Sequence, residues 1–349
     1  MIQTFVSSDY ISVDGKRFDV LKFILAIFVV GIHTLPIDFW LRPLFRTAVP
    51  LFFIMSSYFF FLKQSKISDL NEKRKSYFLF VKRIILLYLF WTIVLLPYIV
   101  YSGEWYKLNI LTILHIFKSF FISGIFPASW YLTSTILSIS VIWCLSKYCS
   151  NRFLLFIGFL FYVCCCLTSN YFAIYEKLPC SIFIYKSYSF IFGKPCNSFL
   201  SALFFIVIGK IFAENKWFLS NKILIVLLLS SLSLLFVEAE FIKSNRLNLS
   251  TVDYSDDCFF SLVPLCVSSY MLLGQNFLTI SINTVELRHS STIIYCSHFT
   301  ISSLLCGFCL SLQRGLYLFS TVMLISCFVS CLIYLLRSNC NFTWLNYAH

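Results

Sequence analysis

The 349-residue sequence is poor in charge. Only 12% of its residues are Asp, Glu, Lys or Arg, about half of what a soluble domain carries. Glycine and proline are also scarce, at 10 and 8 residues. Few helices are therefore broken at matching positions, as discontinuous-helix transporters require. No internal repeat is visible and no stretch reads as a separate soluble domain. No loop has the size expected of a glycan polymerase. No cluster of His, Cys and acidic residues has metal-site spacing, so no metal is expected. Cys306 and Cys309 form a C-x-x-C, but no second pair accompanies it. Most of the 15 cysteines lie inside apolar runs and read as small packing residues. Cys180 and Cys196 fall together in one loop, where a disulfide is geometrically open.

What the chain has in abundance is apolar surface: 59% hydrophobic residues and a mean hydropathy of +0.85. This composition makes an all-α, polytopic membrane protein. The net charge of +12 is loop charge of the positive-inside kind, so nucleic acid is not an expected partner and membrane lipid is. Apolar segments fall near 18–36, 46–62, 83–101, 130–147, 153–168, 198–213, 222–240, 258–274, 291–311 and 315–336, which suggests about ten transmembrane helices. The stretch 105–126 is amphipathic and interrupted and is expected at the interface. The longest polar linkers are 63–82, 169–197 and 241–257. Lys16 and Arg17 ahead of the first apolar run resemble a signal peptide, but no small-residue cleavage site follows, so an uncleaved first span is expected. The basic cluster between Lys63 and Arg83 dominates the charge bias and puts both termini in the cytoplasm. The division is a cytoplasmic segment 1–17, a transmembrane domain 18–336 and a cytoplasmic tail 337–349. In this orientation the outer loops hold Asp38, Glu104, Glu176, Glu238, Glu240, Asp253, Asp256 and Asp257.

The first apolar run, FDVLKFILAIFVVGIHTLP, carries Asp19, Lys22 and His33. Ionisable groups inside a span are costly and usually functional. Lys22 and His33 are eleven residues apart, which places them within roughly 20° around a helix and about 16 Å apart along it. Asp19, Lys22, Ala26, Val30 and His33 form one stripe. His33 has the right chemistry for a general base near neutral pH, weighed against a hydrogen-bonded packing histidine. Arg46 opens the second span a short loop later. It reads either as an interfacial side chain or as a fixed cation able to hold an anion or a developing oxyanion. Trp130 and Tyr131 start the fourth span as interfacial aromatics. Glu238 closes the seventh, either wet or paired with a cation such as Arg246. Tyr295 and His298, in IIYCSHFT, are expected in the cytoplasmic half, nearer Lys22 than His33.

The runs FDVLKFILAIFVVGIH and RTAVPLFFIMSSYFF resemble the start of the acyltransferase 3 family of integral membrane O-acyltransferases acting on cell-surface glycans. Lys22 and His33 match its basic residue, ten intervening residues and His. SWYL at 129–132, SFLSALFFIVIGK at 198–210 and IYCSH at 294–298 resemble later elements. Ser57 stands where the family usually has glycine, and Lys22 where many members have arginine. Lys82 and Arg83 are followed by Leu86, so the family's paired arginines are not carried over. The resemblance implies transfer of an acyl group, acetyl above all, from acetyl-CoA or another acyl-CoA to a hydroxyl of a surface polysaccharide or its lipid-linked precursor, in the bacterial cytoplasmic (inner) membrane. It implies no bound cofactor. On this reading Lys22 and Asp19 meet the acyl donor, with Asp19 orienting Lys22. His33 removes the hydroxyl proton or briefly carries the acyl group. Arg46 positions the acceptor or stabilises the oxyanion, while Trp130, Tyr131 and Glu238 are acceptor contacts. The rival reading is a transporter or flippase for lipid-linked sugars or small anions, which would consume no thioester.

Overall fold

The computed structural model describes residues 15–103, 109–215, 219–249, 251, 255–275, 280–281, 283–308, 312–340 and 342–349. Glu104, Asp253 and Cys309 lie outside these residues. Within them the chain is helical, with no strand. The helices are α1 (Gly15–Thr34), α2 (Arg42–Phe45), α3 (Ala48–Ser65), α4 (Leu70–Val94), α5 (Leu96–Ser102), α6 (Ile110–Lys118), α7 (Trp130–Leu145), α8 (Asn151–Leu167), α9 (Phe172–Tyr175), α10 (Ser181–Phe192), α11 (Phe199–Glu214), α12 (Asn221–Ser244), α13 (Leu262–Gly274), α14 (Val285–Phe308) and α15 (Leu316–Cys340).

Local chemistry sets many of the boundaries. Asp69, Asn109, Ser150, Ser198 and Ser220 each accept a hydrogen bond from a first-turn backbone N–H of the helix that follows, satisfying donors that have no partner inside the helix. Pro97 lies just inside α5, and the turn ahead of it ends α4 at Val94, as a proline without an N–H requires.

Within the described residues every apolar segment read from the sequence is mostly helical, but several differ from simple crossings. Among the described residues, four helical stretches qualify as spans by length and apolar composition: Arg42–Ser65, Leu70–Val94, Asn221–Ser244 and Leu316–Asn339. A fifth is the bent pair formed by Ser181–Asn197 and Phe199–Glu214, which meet at 43°. Helices α7, α8 and α13 are shorter, at 16, 17 and 13 residues, and α1 carries Arg17, Asp19 and Lys22. Of the about ten crossings expected, four or five meet the length and composition criterion among the described residues. The stretch 63–82 is not a linker, since most of it is the first half of α4. Segment 169–197 holds α9 and α10. Arg337 still belongs to α15, and a 3-10 turn over Thr343–Ala348 folds back onto α4, where Trp91 Nε1 donates to the Ala348 carbonyl at 3.0 Å.

Helices α3 and α11 form the centre of the bundle. Ser57 and Gly209 meet at their crossing, where a Cβ on Gly209 would overlap Ser57 Oγ and the Ile54 carbonyl oxygen. Gly158 of α8 packs in the same way against the backbone of Phe204, whose Cα a Cβ would approach to 3.0 Å. Lipid offers no hydrophobic drive between helices, so close backbone approach through small residues supplies the packing. The outer helices α4, α12 and α15 bury only 22% of their apolar windows and turn Leu234, Val237, Leu324 and Phe328 outward, the pattern of a lipid-facing wall. Helix α1 packs against α14, α15 and α3.

The α3–α11 crossing gives a direct test. Gly209→Ala should destabilise the folded protein by about 1–3 kcal/mol through overpacking, read as a lower melting temperature in detergent. Gly274→Ala, whose added Cβ meets nothing within 4 Å, should leave it unchanged.

Candidate functional site

Helix α1 brings its ionisable stripe into the bundle as its periodicity requires, and α14 runs parallel beside it. Asp19 is buried and accepts a hydrogen bond from Thr284 at 3.0 Å, across an offset of 265 residues. Its other oxygen stands 4.0 Å from Arg288 Nη1. Asp19 thus holds the start of α14, and its charge also acts on the Lys22 ammonium. Lys22 extends over the ring of Phe59, with Nζ 5.4 Å from its centroid.

Lys22 lines a cavity of about 500 Å³. Arg83, Arg288, Lys63 and His349 join it on the walls, so one end is strongly basic. Arg83 takes part although its sequence pattern departs from the paired arginines of the family. At the deep end stand Tyr131 and Tyr295, with ring centroids 5.5 Å apart. Tyr131 shares a 2.9 Å hydrogen bond with Ser56. Tyr295 donates to the Ala128 carbonyl at 3.0 Å. Ala128 is in the left-handed region at φ 70°, a conformation costly for a residue with a Cβ, and the Tyr295 hydrogen bond ties it to α14.

His33 lies on the same stripe as Lys22, about three turns on toward the other end of α1. Its ring centroid is 5.2 Å from that of His298 and 5.0 Å from that of Phe299. This corrects the expectation that His298 sits nearer Lys22 than His33. Helix α14 starts at Val285, six residues before the expected span, so position 298 falls halfway along it and level with His33.

Arg42 and Arg46 gather at this end. Arg42 Nη1 donates to the Ile32 carbonyl at 2.9 Å, next to His33, and its Nε donates to Asp256 Oδ2 at 2.6 Å. Arg46 pairs with Asp256 and, at 2.5 Å, with Asp257 Oδ1. Asp257 also accepts from Ser255 Oγ at 2.6 Å and donates its backbone N–H to Ser169 Oγ at 3.2 Å. The Arg46 Nε–H remains buried without a protein acceptor. Beside it is a small cavity of about 60 Å³ whose lining includes Trp130, Asn197 and Ser201. Trp130 and Tyr131, adjacent on α7, thus line different cavities.

Glu238 serves the fold. It accepts from the Tyr171 hydroxyl at 2.8 Å, from the Phe260 and Ser261 backbone N–H groups at 2.8 and 2.9 Å, and from the Ser261 hydroxyl. These donors saturate the carboxylate and fix the entry to α13, leaving little for an acceptor. Cys180 and Cys196 are both free thiols, one exposed and one buried. The sequence reading missed Asp256 and Asp257 as partners of Arg42 and Arg46. The available signal was an adjacent acidic pair in an outer loop and two arginines four residues apart.

Burial alone would oppose ionisation of Asp256, but Arg46 and Arg42 outweigh it and hold its carboxyl below the usual carboxylate range. A carboxyl depressed in the folded state stabilises the protein above its unfolded value of about 3.9, and that contribution fades as pH falls through the lower folded value. Asp256→Asn should cost roughly 3 kcal/mol at neutral pH, the low end for breaking a buried pair because Asp257 still holds Arg46. Melting temperatures recorded from pH 7 down to pH 3 should fall below about pH 4 in the native chain and more shallowly in the variant.

A family profile described as an acyltransferase domain matches residues 16–336. An amino-acid racemase from Enterococcus faecalis is 24% identical over 302 residues, which are 82% of this chain and 40% of that protein. A serine/alanine racemase from Enterococcus gallinarum is 30% identical over 131 residues, 35% of this chain and 18% of that protein. The chain thus spans less than half the length of the curated relatives it matches. No solved structure matches. With nearly its whole length matched, and with the basic residue, ten-residue interval and histidine of α1 in place, this chain belongs to the acyltransferase 3 family of membrane acyltransferases.

Proposed function

We propose that this protein is an O-acyltransferase of the bacterial cytoplasmic membrane that moves an acetyl group from acetyl-CoA to a hydroxyl of a surface polysaccharide or its lipid-linked precursor. The observation that carries the reading is the cavity with a basic mouth at Lys22, Lys63, Arg83 and Arg288 and an aromatic floor at Tyr131 and Tyr295. Such a cavity suits a long ligand that is anionic at one end and neutral at the other. Guanidiniums and ammoniums pair with phosphates, while the thioester arm reaches the tyrosines. The relatives' name, racemase, belongs to proteins more than twice as long as the matched stretch and is not carried over.

His33 supplies the base. Its unprotonated ring nitrogen takes the hydroxyl proton as the acceptor oxygen attacks the thioester carbonyl. The carbon–sulfur bond breaks, and the CoA thiolate leaves with the proton that His33 returns. In a two-step variant the same nitrogen attacks first and carries the acetyl group briefly. Arg46, immobilised by two carboxylates, retains one N–H for the acceptor or for the oxyanion of the tetrahedral intermediate. The thioester-consuming reaction separates this reading from transport of lipid-linked sugars.

Membranes containing the native chain, supplied with radiolabelled acetyl-CoA, should move label into lipid-linked or polymeric glycan. His33→Ala should abolish that label while inserting normally; retained transfer would remove His33 from the mechanism. Arg288→Gln should raise the KM for acetyl-CoA about tenfold, the loss of one charge-assisted contact worth about 1.5 kcal/mol, with a smaller effect on kcat. Absence of any thioester turnover by the folded native chain, with acceptor glycan present, would overturn the function.

A further inference from the structure

Helices α1 and α14 run side by side with the 265-residue offset that joins Asp19 to Thr284. The same offset joins His33 to His298, whose rings are 5.2 Å apart and inclined at 38°. His298 is fully buried, at 0% exposure. Its Nδ1 lies 2.8 Å from the Tyr295 carbonyl oxygen and 3.2 Å from that of Ile294. A carbonyl oxygen only accepts, so Nδ1 carries the hydrogen, and Nε2 is left with a lone pair. That Nε2 is buried without any partner in the structure. A buried acceptor left unpaired costs about 1–3 kcal/mol, and such groups call for a reason. Among the described residues none donates to Nε2, and the imidazole of His33 packs beside the ring. At this centroid distance, edge-facing ring atoms come to about 3 Å, within hydrogen-bonding range after a rotation of the His33 ring.

We propose that His298 is a positioning residue for His33, resting on the reading of His33 as the base. Its Nε2 accepts the hydrogen of one His33 ring nitrogen. That hydrogen bond selects a single tautomer of His33 and directs the other nitrogen, lone pair outward, to the acceptor hydroxyl. When His33 takes up the hydroxyl proton, the resulting imidazolium donates more strongly to the same lone pair. No proton leaves His298, because its own hydrogen stays on the Tyr295 carbonyl. The arrangement does with a neutral imidazole what a buried carboxylate does in a Ser-His-Asp triad. Such a partner suits an apolar bundle, where a further carboxylate would need its own counter-charge.

The test uses the full chain in phosphatidylcholine–phosphatidylglycerol vesicles, with ¹⁵N-labelled histidine. With five histidines in the sequence, each ring can be assigned by single replacement. The His298 Nε2 signal should be that of an unprotonated nitrogen accepting a hydrogen bond, and should move to the free position in His33→Ala. In His298→Leu, His33 should lose its single tautomer. Acyl-transfer kinetics give a second reading. His298→Leu should lower kcat by on the order of 10²-fold or more, with the KM for acetyl-CoA within about threefold, since uniform binding is untouched. His298→Gln, which returns an acceptor near the Nε2 position, should recover part of the loss. Protonation of His298 at Nε2, or a His298 signal indifferent to His33→Ala, overturns the pairing. Unchanged kcat in His298→Leu overturns the positioning role even with the pairing intact. If His33→Ala itself retains transfer, the base assignment fails, and the nitrogen spectra still decide whether the two rings pair.

Discussion

Two arginines are held by two aspartates at the end of the molecule where His33 lies, and much of the site depends on that grouping. Arg42 and Arg46 sit in consecutive turns at the start of the α2–α3 segment. Asp256 and Asp257 sit in the loop leading into α13. Neither pair would be stable in an apolar bundle alone, because each buried charge needs an opposite charge and further hydrogen bonds. Together they pin a loop that follows α12 to a segment more than two hundred residues earlier. Arg42 then extends the constraint to the backbone of α1 at Ile32. The saturated carboxylate of Glu238 anchors the other side of the same loop. The candidate base therefore stands on a helix whose far end is fastened by ion pairs rather than by apolar packing alone.

The remaining order comes from close backbone contact. Ser57 and Gly209 let α3 and α11 approach until their main chains touch, and Gly158 lets α8 do the same against α11. These contacts hold the centre of the bundle rigid while the outer helices meet lipid. Against that centre, α7 presents Trp130 to one cavity and Tyr131 to the other, a consequence of the 100° turn between neighbouring helical residues. The left-handed backbone at Ala128 aims the start of α7, and the Tyr295 hydroxyl keeps it there.

Much of this was legible in the sequence, for identifiable reasons. Apolar length marked every major helix, because the penalty for exposing backbone in lipid leaves little choice of structure. The stripe from Asp19 to His33 followed from helical periodicity alone. Partners distant in sequence were not legible. Nothing in a single sequence says that Asp256 and Asp257 meet Arg42 and Arg46, or that Asp19 binds Thr284. The level of His298 was misread because Glu286, Arg288 and His289 lower the hydropathy of the first turns of α14 and hid its true start. Likewise, the polar residues of 63–82 disguised the first half of α4, where capping by Asp69 makes a helix of charged sequence.

The parallel run of α1 and α14 carries a mechanical consequence. Arg288, Tyr295 and His298 all belong to one continuous helix, so they translate as a single rod. A slide of α14 by even one residue rise, about 1.5 Å, would shift the cationic mouth of the large cavity, the tyrosine at its floor and the imidazole facing His33 by the same amount. Any displacement of Arg288 along the helix axis is therefore carried to the histidine pair about three helical turns away.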